Sequence, residues 1–137
     1  MKRDACRALG GYRDLLVHQG EEHDLGARAF LAGWHALHFP NCLVHHFESH
    51  EGRNFSRMDY YGARNAVLWN DWFVPDASQL QFRLRRIAAS LTHALRNGRL
   101  GQLRGHRAAR TERKQLTHFR NRMNNEQFSK WRSLPFA

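Results

Sequence analysis

The sequence predicts a mixed α/β fold in which a short strand pair with helices is followed by a helical basic tail. Residues 34–39 and 42–47 are short apolar segments, and a Pro-Asn turn separates them, as expected for two paired strands. After residue 75 the chain shows helical periodicity and an excess of arginine. We therefore divide it into residues 1–75, which hold the candidate chemistry, and residues 76–137, which form the tail.

The segment before the strand pair predicts two helices. Residues 3–9 form a short helix that ends at two glycines, and a loop follows. The second helix begins with three acids, where the peptide dipoles favour negative charge: Glu21, Glu22 and Asp24. This helix has an apolar stripe and stops at Gly33. Asp24 and Arg28 lie four residues apart, so they can pair on its exposed face.

The segment after the strand pair predicts a polar loop and then helices only. Residues 48–54 form a loop over the site, and residues 55–73 form a long helix. Asp76 is the predicted N-cap of the next helix, which ends at Asn97-Gly98. One face of that helix is apolar: Leu80, Leu84, Ile87, Leu91 and Leu95. Residues 101–118 predict a basic helix weakened by Gly105, and residues 126–131 a last short helix.

The charge of the chain is unevenly distributed. The formal net charge is +10, and residues 1–70 contain 8 Lys/Arg against 8 Asp/Glu, whereas residues 71–137 contain 14 against 4. This division suggests chemistry in the front half and contact with an anionic partner in the back half. Amphipathic helices rich in arginine favour peripheral contact with an anionic membrane, and the alternative is a solvated helix pair packed on the domain.

The sequence also indicates the cellular location of the protein. Residues 1–14 carry charges throughout and lack the apolar stretch of a secretory signal. Two isolated cysteines, Cys6 and Cys42, fit buried thiols in a reducing compartment. We therefore expect a cytoplasmic protein, with a possible location at the inner face of the cell membrane.

Several side chains are candidates for chemistry, each beside a simpler interpretation. The three acids of the second helix can act on a substrate or only cap the helix. Arg57 and Arg64 fall on one helical face and can bind phosphate, or Arg64 can pair with Asp59 or Glu48. Trp34 can line an acceptor pocket. A structural zinc site at Cys42, His46 and His50 is disfavoured because the chain offers too few regularly spaced ligands.

The order and spacing of several motifs resemble the acceptor-side half of the family 2 inverting glycosyltransferases of GT-A type. The resemblance covers about residues 3–73. It rests on a Gly-Gly-aromatic element, an acidic helix start, a Gly-aromatic pair, a proline with a histidine six residues later, and a Tyr-Tyr-x-x-Arg-Asn element. In this chain these are Gly10-Gly11-Tyr12, Glu21-Glu22-His23-Asp24-Leu25 with Arg28, Gly33-Trp34, Pro40 and His46, and Tyr60-Tyr61 with Arg64-Asn65.

The resemblance implies sugar transfer with inversion from a nucleotide-sugar donor to a glycan or lipid-linked acceptor, as in polysaccharide biosynthesis. It assigns the acidic motif to catalysis, with Glu22 as base and Asp24 as the residue that holds the loop. It further implies that His46 helps to ligate a divalent metal, Mg²⁺ or Mn²⁺, and that Arg64 and Asn65 lie close to the site. The Asp-x-Asp motif and the nucleotide-binding strands of that family are not in this sequence. We therefore expect this chain alone to be a fragment without transferase activity.

Two other functions stay open. A basic nucleic-acid-binding module would suit the charge, but no helix-turn-helix, zinc finger or RNP-like aromatic pattern is present. A catalytically inactive glycosyltransferase remnant that binds a partner is the second alternative. RNA or DNA affinity that survives loss of the acidic motif would indicate the first.

Overall fold

The computed structural model describes residues 2–35, 41–45, 47, 52 and 54–134. Within these ranges the chain forms six α-helices: α1 (Arg3–Ala8), α2 (Glu21–Leu31), α3 (Phe55–Phe73), α4 (Asp76–Asn97), α5 (Gly101–Glu112) and α6 (Asn125–Arg132). Two 3-10 segments, Asp14–Leu16 and Thr117–Phe119, lie in the connections. None of the described helices is long and apolar enough to cross a membrane.

The predicted α/β class is wrong, because the part of the chain that the structure describes is all-helical and contains no strand. Of the predicted strand pair, residues 36–40 and 46 lie outside the described residues, and residues 42–45 are irregular. The apolar side chains of Leu43, Val44 and Phe47 are exposed. A two-stranded ribbon is marginal in water unless its apolar face is covered, so apolar composition alone does not produce a strand at residues 42–45.

Among the described helices, α3 and α5 make the most extensive contact, and glycine allows their close approach. A Cβ atom at Gly101 would lie 2.6 Å from the Ser56 carbonyl oxygen, and one at Gly105 would lie 3.0 Å from the Arg64 backbone nitrogen. Ala109 continues the same stripe and is fully buried. The sequence analysis treated Gly105 only as a residue that weakens its helix. The structure gives it a packing role, because the absence of a side chain there allows close contact with α3. The predicted helix 101–118 also ends earlier, at Glu112.

The core lies where the C-terminal part of α3 meets α2, α5 and α6. Its buried side chains are Leu16, Ala27, Leu68, Trp72, Phe73, Val74, Ala109, Met123, Phe128 and Trp131. The backbone carbonyls of Trp72 and Phe73 accept hydrogen bonds from Asn121 and Met123, which holds the connection to α6 on the core. A capping box between Asn124 and Gln127 then begins α6. Trp131 is thereby brought against Phe30 of α2, with ring centroids 5.6 Å apart.

Helix α4 has the predicted apolar stripe, but the stripe faces solvent. All five of its members are exposed: Leu80, Leu84, Ile87, Leu91 and Leu95. The helix ends at Asn97 with Gly98 in the left-handed conformation, as the sequence predicts. Its predicted N-cap is wrong by one residue, because Pro75 occupies that position and Asp76 is the first helical residue. The Asp76 carboxylate instead accepts from Arg122 at 2.5 Å.

Candidate functional site

The loop that leads into α2 is held by one side chain of α3. The Asn65 amide nitrogen donates to the carbonyl oxygens of Leu16, His18 and Gln19 at 2.7, 3.0 and 2.7 Å. The chain turns sharply here, with Val17 at φ 58° and Gln19 at φ 66°. A β-branched residue in this region is costly, so the amide stabilises a conformation that the local sequence disfavours.

Arg64 supports the same loop, and its guanidinium group is occupied by partners among the described residues. Its guanidinium donates to the Leu15 carbonyl oxygen at 3.0 Å and to the Asn65 side-chain oxygen at 2.7 Å. Its Nε atom donates to Glu112 of α5 at 2.8 Å. Both members of the predicted Arg-Asn pair therefore position the chain before α2. Of the two acids that the sequence offered as partners of Arg64, Asp59 makes no hydrogen bond to it within the described part of the chain, and Glu48 lies outside the described residues.

The acidic motif begins directly after this loop. Gly20 precedes α2 with φ 89°, a conformation that suits glycine, and a Cβ there would touch Asn65 at 3.5 Å. The Glu22 side chain is exposed in the first turn of the helix. Glu21 is partly buried, and its Oε2 atom has no hydrogen-bond partner within the described residues. Glu22 is thus the carboxylate of this turn that an external hydroxyl group can reach.

Asp24 has a different environment, because its carboxylate is fully occupied by two arginines. Arg13 Nη1 donates to Oδ1 at 2.7 Å, and Arg28 Nη2 donates to Oδ2 at 2.6 Å. Arg28 also donates to the carbonyl oxygens of Leu9 and Gly11, which ties α2 to the end of α1. The predicted Asp24–Arg28 pair exists, but it is buried and does not lie on an exposed face. This geometry gives Asp24 a positioning role.

A cavity of about 380 Å³ opens beside the start of α2. Five aromatic or imidazole rings line it: His23, Trp69, Phe82, Phe128 and Trp131. Its polar lining consists of Asn65, Asn70, Arg86 and Arg132, with Gly20 and Ala66 completing the wall. Gly20 and His23 flank the two glutamates in sequence, and neither glutamate belongs to the lining.

His23 joins the acidic motif to the aromatic cluster. Its ring stacks on Trp69 with centroids 4.7 Å apart and an interplanar angle of 11°. Burial of the ring lowers the pKa of His23, and the nearby charge of Arg86 lowers it further. The imidazole is therefore neutral near pH 7 and adds no charge to the cavity.

Two further predicted site residues, Trp34 and Arg57, do not line this cavity. Trp34 lies beyond the end of α2 and is exposed. Arg57 is exposed in the first turn of α3, with its guanidinium 5.7 Å from the Tyr61 ring centroid. His46 lies outside the described residues, and the described ranges contain no group of three His, Cys, Asp or Glu side chains that could hold a metal ion. Cys42 is exposed and Cys6 half-buried, so the expected buried thiols are wrong.

The sequence missed the residues that build the cavity wall from the C-terminal half. Asn70 carried a weak signal, because it is an amide within the largely apolar run from Leu68 to Phe73. Phe128 and Trp131 carried none, since they follow Trp69 by about sixty residues and no local pattern links them. Comparison of the chain with protein-family models, with curated proteins and with solved structures gives no match.

Proposed function

We propose that this chain supplies the base and the acceptor side of an inverting sugar transferase that uses a nucleotide-sugar donor. One observation carries the proposal: Glu22 is an exposed carboxylate at the start of α2, and the residues around it, Gly20 and His23, line the aromatic cavity. The sequence resemblance to family 2 glycosyltransferases supports the same assignment. The acceptor is a glycan or a lipid-linked glycan.

The chemistry assigned to Glu22 is proton removal from the acceptor hydroxyl group. As the proton passes to the carboxylate, the acceptor oxygen forms a bond to the anomeric carbon, and the bond from that carbon to the nucleoside diphosphate breaks on the opposite face. The product has inverted configuration, and Glu22 returns its proton to solvent. Asp24, Arg28, Arg64 and Asn65 act by holding the loop and helix that present Glu22.

The divalent ion implied by the resemblance, Mg²⁺ or Mn²⁺, does not fit the described residues as a self-contained site. Such ions prefer several oxygen ligands, and the described part of the chain offers no cluster of them. We therefore assign no step to a metal. We also propose that the donor nucleotide is bound by a segment other than these 137 residues, because the chain contains no Asp-x-Asp motif and no glycine-rich phosphate loop.

Replacing Glu22 by glutamine tests the assignment in a protein that joins this chain to the donor-binding segment that we propose. Because a general base is lost, we expect turnover of a nucleotide-sugar donor to fall by about 10²–10⁴ while donor binding persists. Glu126→Gln is the matched control, since Glu126 is an exposed carboxylate on α6 paired only with Lys130 in the described structure. Turnover near the wild-type level for Glu22→Gln would remove Glu22 as the base.

The exposed stripe of α4 supports a proposed location at the cytoplasmic face of an anionic membrane. Apolar side chains on one side of a helix, with exposed arginines such as Arg85 and Arg96 elsewhere on it, suit the boundary of a bilayer. We expect the protein to sediment with anionic vesicles and to release as salt rises, because exposed charge attraction is screened over about 10 Å at 0.1 M salt.

Leu84→Glu should weaken this vesicle association more than Gln81→Glu does. Each variant adds one negative charge to the same helix, but only Leu84→Glu interrupts the apolar stripe. Equal losses from both variants would show that net charge alone drives the association.

A nucleic-acid-binding module is the second candidate, and helix α5 favours it. Arg104, Arg107 and Arg110 are all exposed at a spacing of three residues, so they present a row of positive charge. Binding of RNA or DNA that is unaffected by Glu22→Gln, together with absence of vesicle association, would favour this candidate over the transferase.

A further inference from the structure

We propose that the aromatic cavity is the binding site for a sugar ring that carries a phosphate group, at the reducing end of the acceptor. This inference rests on the proposed function and names the chemical class of its acceptor. The ring would lie among the aromatic side chains, and the phosphate would lie at Arg86 and Arg132.

The size and walls of the cavity suit one sugar ring. A volume of about 380 Å³ lies within the range of small-molecule sites, roughly 300–1,000 Å³. Its ring walls are tilted against one another: Trp69 and Trp131 meet at 35° and Phe82 and Phe128 at 67°. Trp69 is also already stacked on His23. These pairs give no two parallel faces between which a flat nucleobase would be sandwiched, whereas a puckered sugar ring can pack on tilted rings.

Asn70 lies in the cavity wall, and its amide atoms are covered in the described structure, so a sugar would contact them after the side chain rotates toward the cavity. The residue is 5% exposed and belongs to the cavity lining. Neither its side-chain oxygen nor its nitrogen has a hydrogen-bond partner among the residues that the structure describes. A buried amide without partners is costly, so a ligand that supplies both an acceptor and a donor would satisfy it. Two neighbouring hydroxyl groups of a sugar do this.

The charges around the cavity select an anion. Arg86 and Arg132 are exposed members of the lining, and the lining contains no aspartate or glutamate. The Arg132 guanidinium lies 6.0 Å from the Phe82 ring centroid, so positive charge stands directly beside the aromatic wall. A guanidinium binds phosphate oxygens through paired hydrogen bonds. A neutral sugar would leave both arginines without a ligand contact.

Tryptophan fluorescence gives a direct measurement, because Trp69 and Trp131 both line the cavity. The full chain is titrated with glucose 1-phosphate, with glucose, with inorganic phosphate and with adenosine monophosphate. We expect saturable binding of the sugar phosphate, with affinity about tenfold or more above that of glucose and of phosphate, since each lacks one set of contacts. Stronger binding of the nucleotide, or no saturable change with glucose 1-phosphate, would overturn the proposal.

Matched variants separate the contacts to the phosphate from the contacts to the sugar ring. Arg86→Ala should reduce the affinity for glucose 1-phosphate about tenfold and leave the weak affinity for glucose unchanged. Arg85→Ala is the control and should change neither affinity, because Arg85 is an exposed neighbour outside the lining. Asn70→Leu should reduce binding of both sugars and raise thermal stability, since it removes an amide without partners from a buried position. Equal effects of Arg86→Ala and Arg85→Ala would contradict a site at this cavity.

The Glu22→Gln variant distinguishes this inference from the proposed function. Glucose 1-phosphate binding should be retained in that variant, because the carboxylate lies outside the cavity lining. Retained binding without sugar transfer by the wild-type chain joined to its donor-binding segment would reject the proposed function alone. Sugar transfer without sugar phosphate binding at the cavity would reject this inference alone.

Discussion

Two buried carboxylates, Asp24 in α2 and Asp71 in α3, are each 1% exposed and each paired with arginines, but their surroundings differ. Asp24 has two partners, Arg13 and Arg28, whose side chains are 16% and 10% exposed. Asp71 has three partners, Arg83, Arg113 and Arg120, which are 27–37% exposed. The first cluster is small and deep, whereas the second is larger and open to water. Burial of the partners, and not their number, should therefore decide how much each carboxylate contributes to stability.

The arginines themselves show the crowding in each cluster. Burial lowers the pKa of Arg13, while the charge of Asp24 opposes that shift. Arg13 also lies over two aromatic rings, 4.9 Å from the Trp72 centroid and 4.2 Å from the Phe119 centroid. At the second cluster, burial and then the charge of Arg113 lower the pKa of Arg83. Arginines outnumber carboxylates in both clusters. The arginines around Asp71 are the more exposed, so they can rotate their guanidinium groups into solvent.

Asp24→Asn should have the largest effect on stability. The substitution leaves Arg13 and Arg28, which are only 16% and 10% exposed, without their counter-charge, and loss of one member of a buried ion pair costs about 3–5 kcal/mol. Chemical denaturation gives the free energy of unfolding directly. A loss below that of Asp71→Asn would show that the number of partners outweighs their burial.

Asp71→Asn should cost less, about 1–3 kcal/mol, because its three arginines can rotate into solvent once the charge is gone. The same denaturation measurement applies. Asp76→Asn is the matched control: its side chain is 79% exposed and paired with Arg122, so we expect a change of about 0–1 kcal/mol. A control effect as large as that of Asp71→Asn would mean that burial of the carboxylate is not decisive.

The smallest effect concerns pH, and it involves one histidine of α2 and one of α5. Burial lowers the pKa of His23 in α2 and of His106 in α5 below the ordinary value of 6.5. The unfolded chain then binds more protons than the folded chain below about pH 6.5, so stability should be full above that pH and fall as the pH decreases. Thermal unfolding measured between about pH 7.5 and about pH 5 checks the direction.

His106 also makes a specific contact, since its Nε2 atom lies 2.8 Å from the hydroxyl oxygen of the buried Ser90. The double variant His23→Gln with His106→Gln should flatten the pH dependence of stability. An unchanged slope would show that these two histidines do not cause the loss of stability at low pH.

The sequence by itself determined the local features. Periodicity and stop residues predicted helices near the observed α1–α6, including the end of α4 at Asn97. The spacing of Asp24 and Arg28 predicted their pairing, because residues four apart on a helix are neighbours whatever the rest of the chain does. The apolar stripe of α4 was likewise readable, although its exposure was not.

Only the tertiary structure decided the features that depend on distant residues. The strand pair was predicted from apolar composition, but strands also need a covering layer, which no local pattern reveals. Gly105 favours close packing only because α3 lies against it. Asn65 and the carbonyl oxygens it holds are at least 46 residues apart, and Asp71 and Arg120 are 49 apart. A local sequence pattern encodes the propensity of a segment, whereas the partners of buried polar groups follow from how the segments pack.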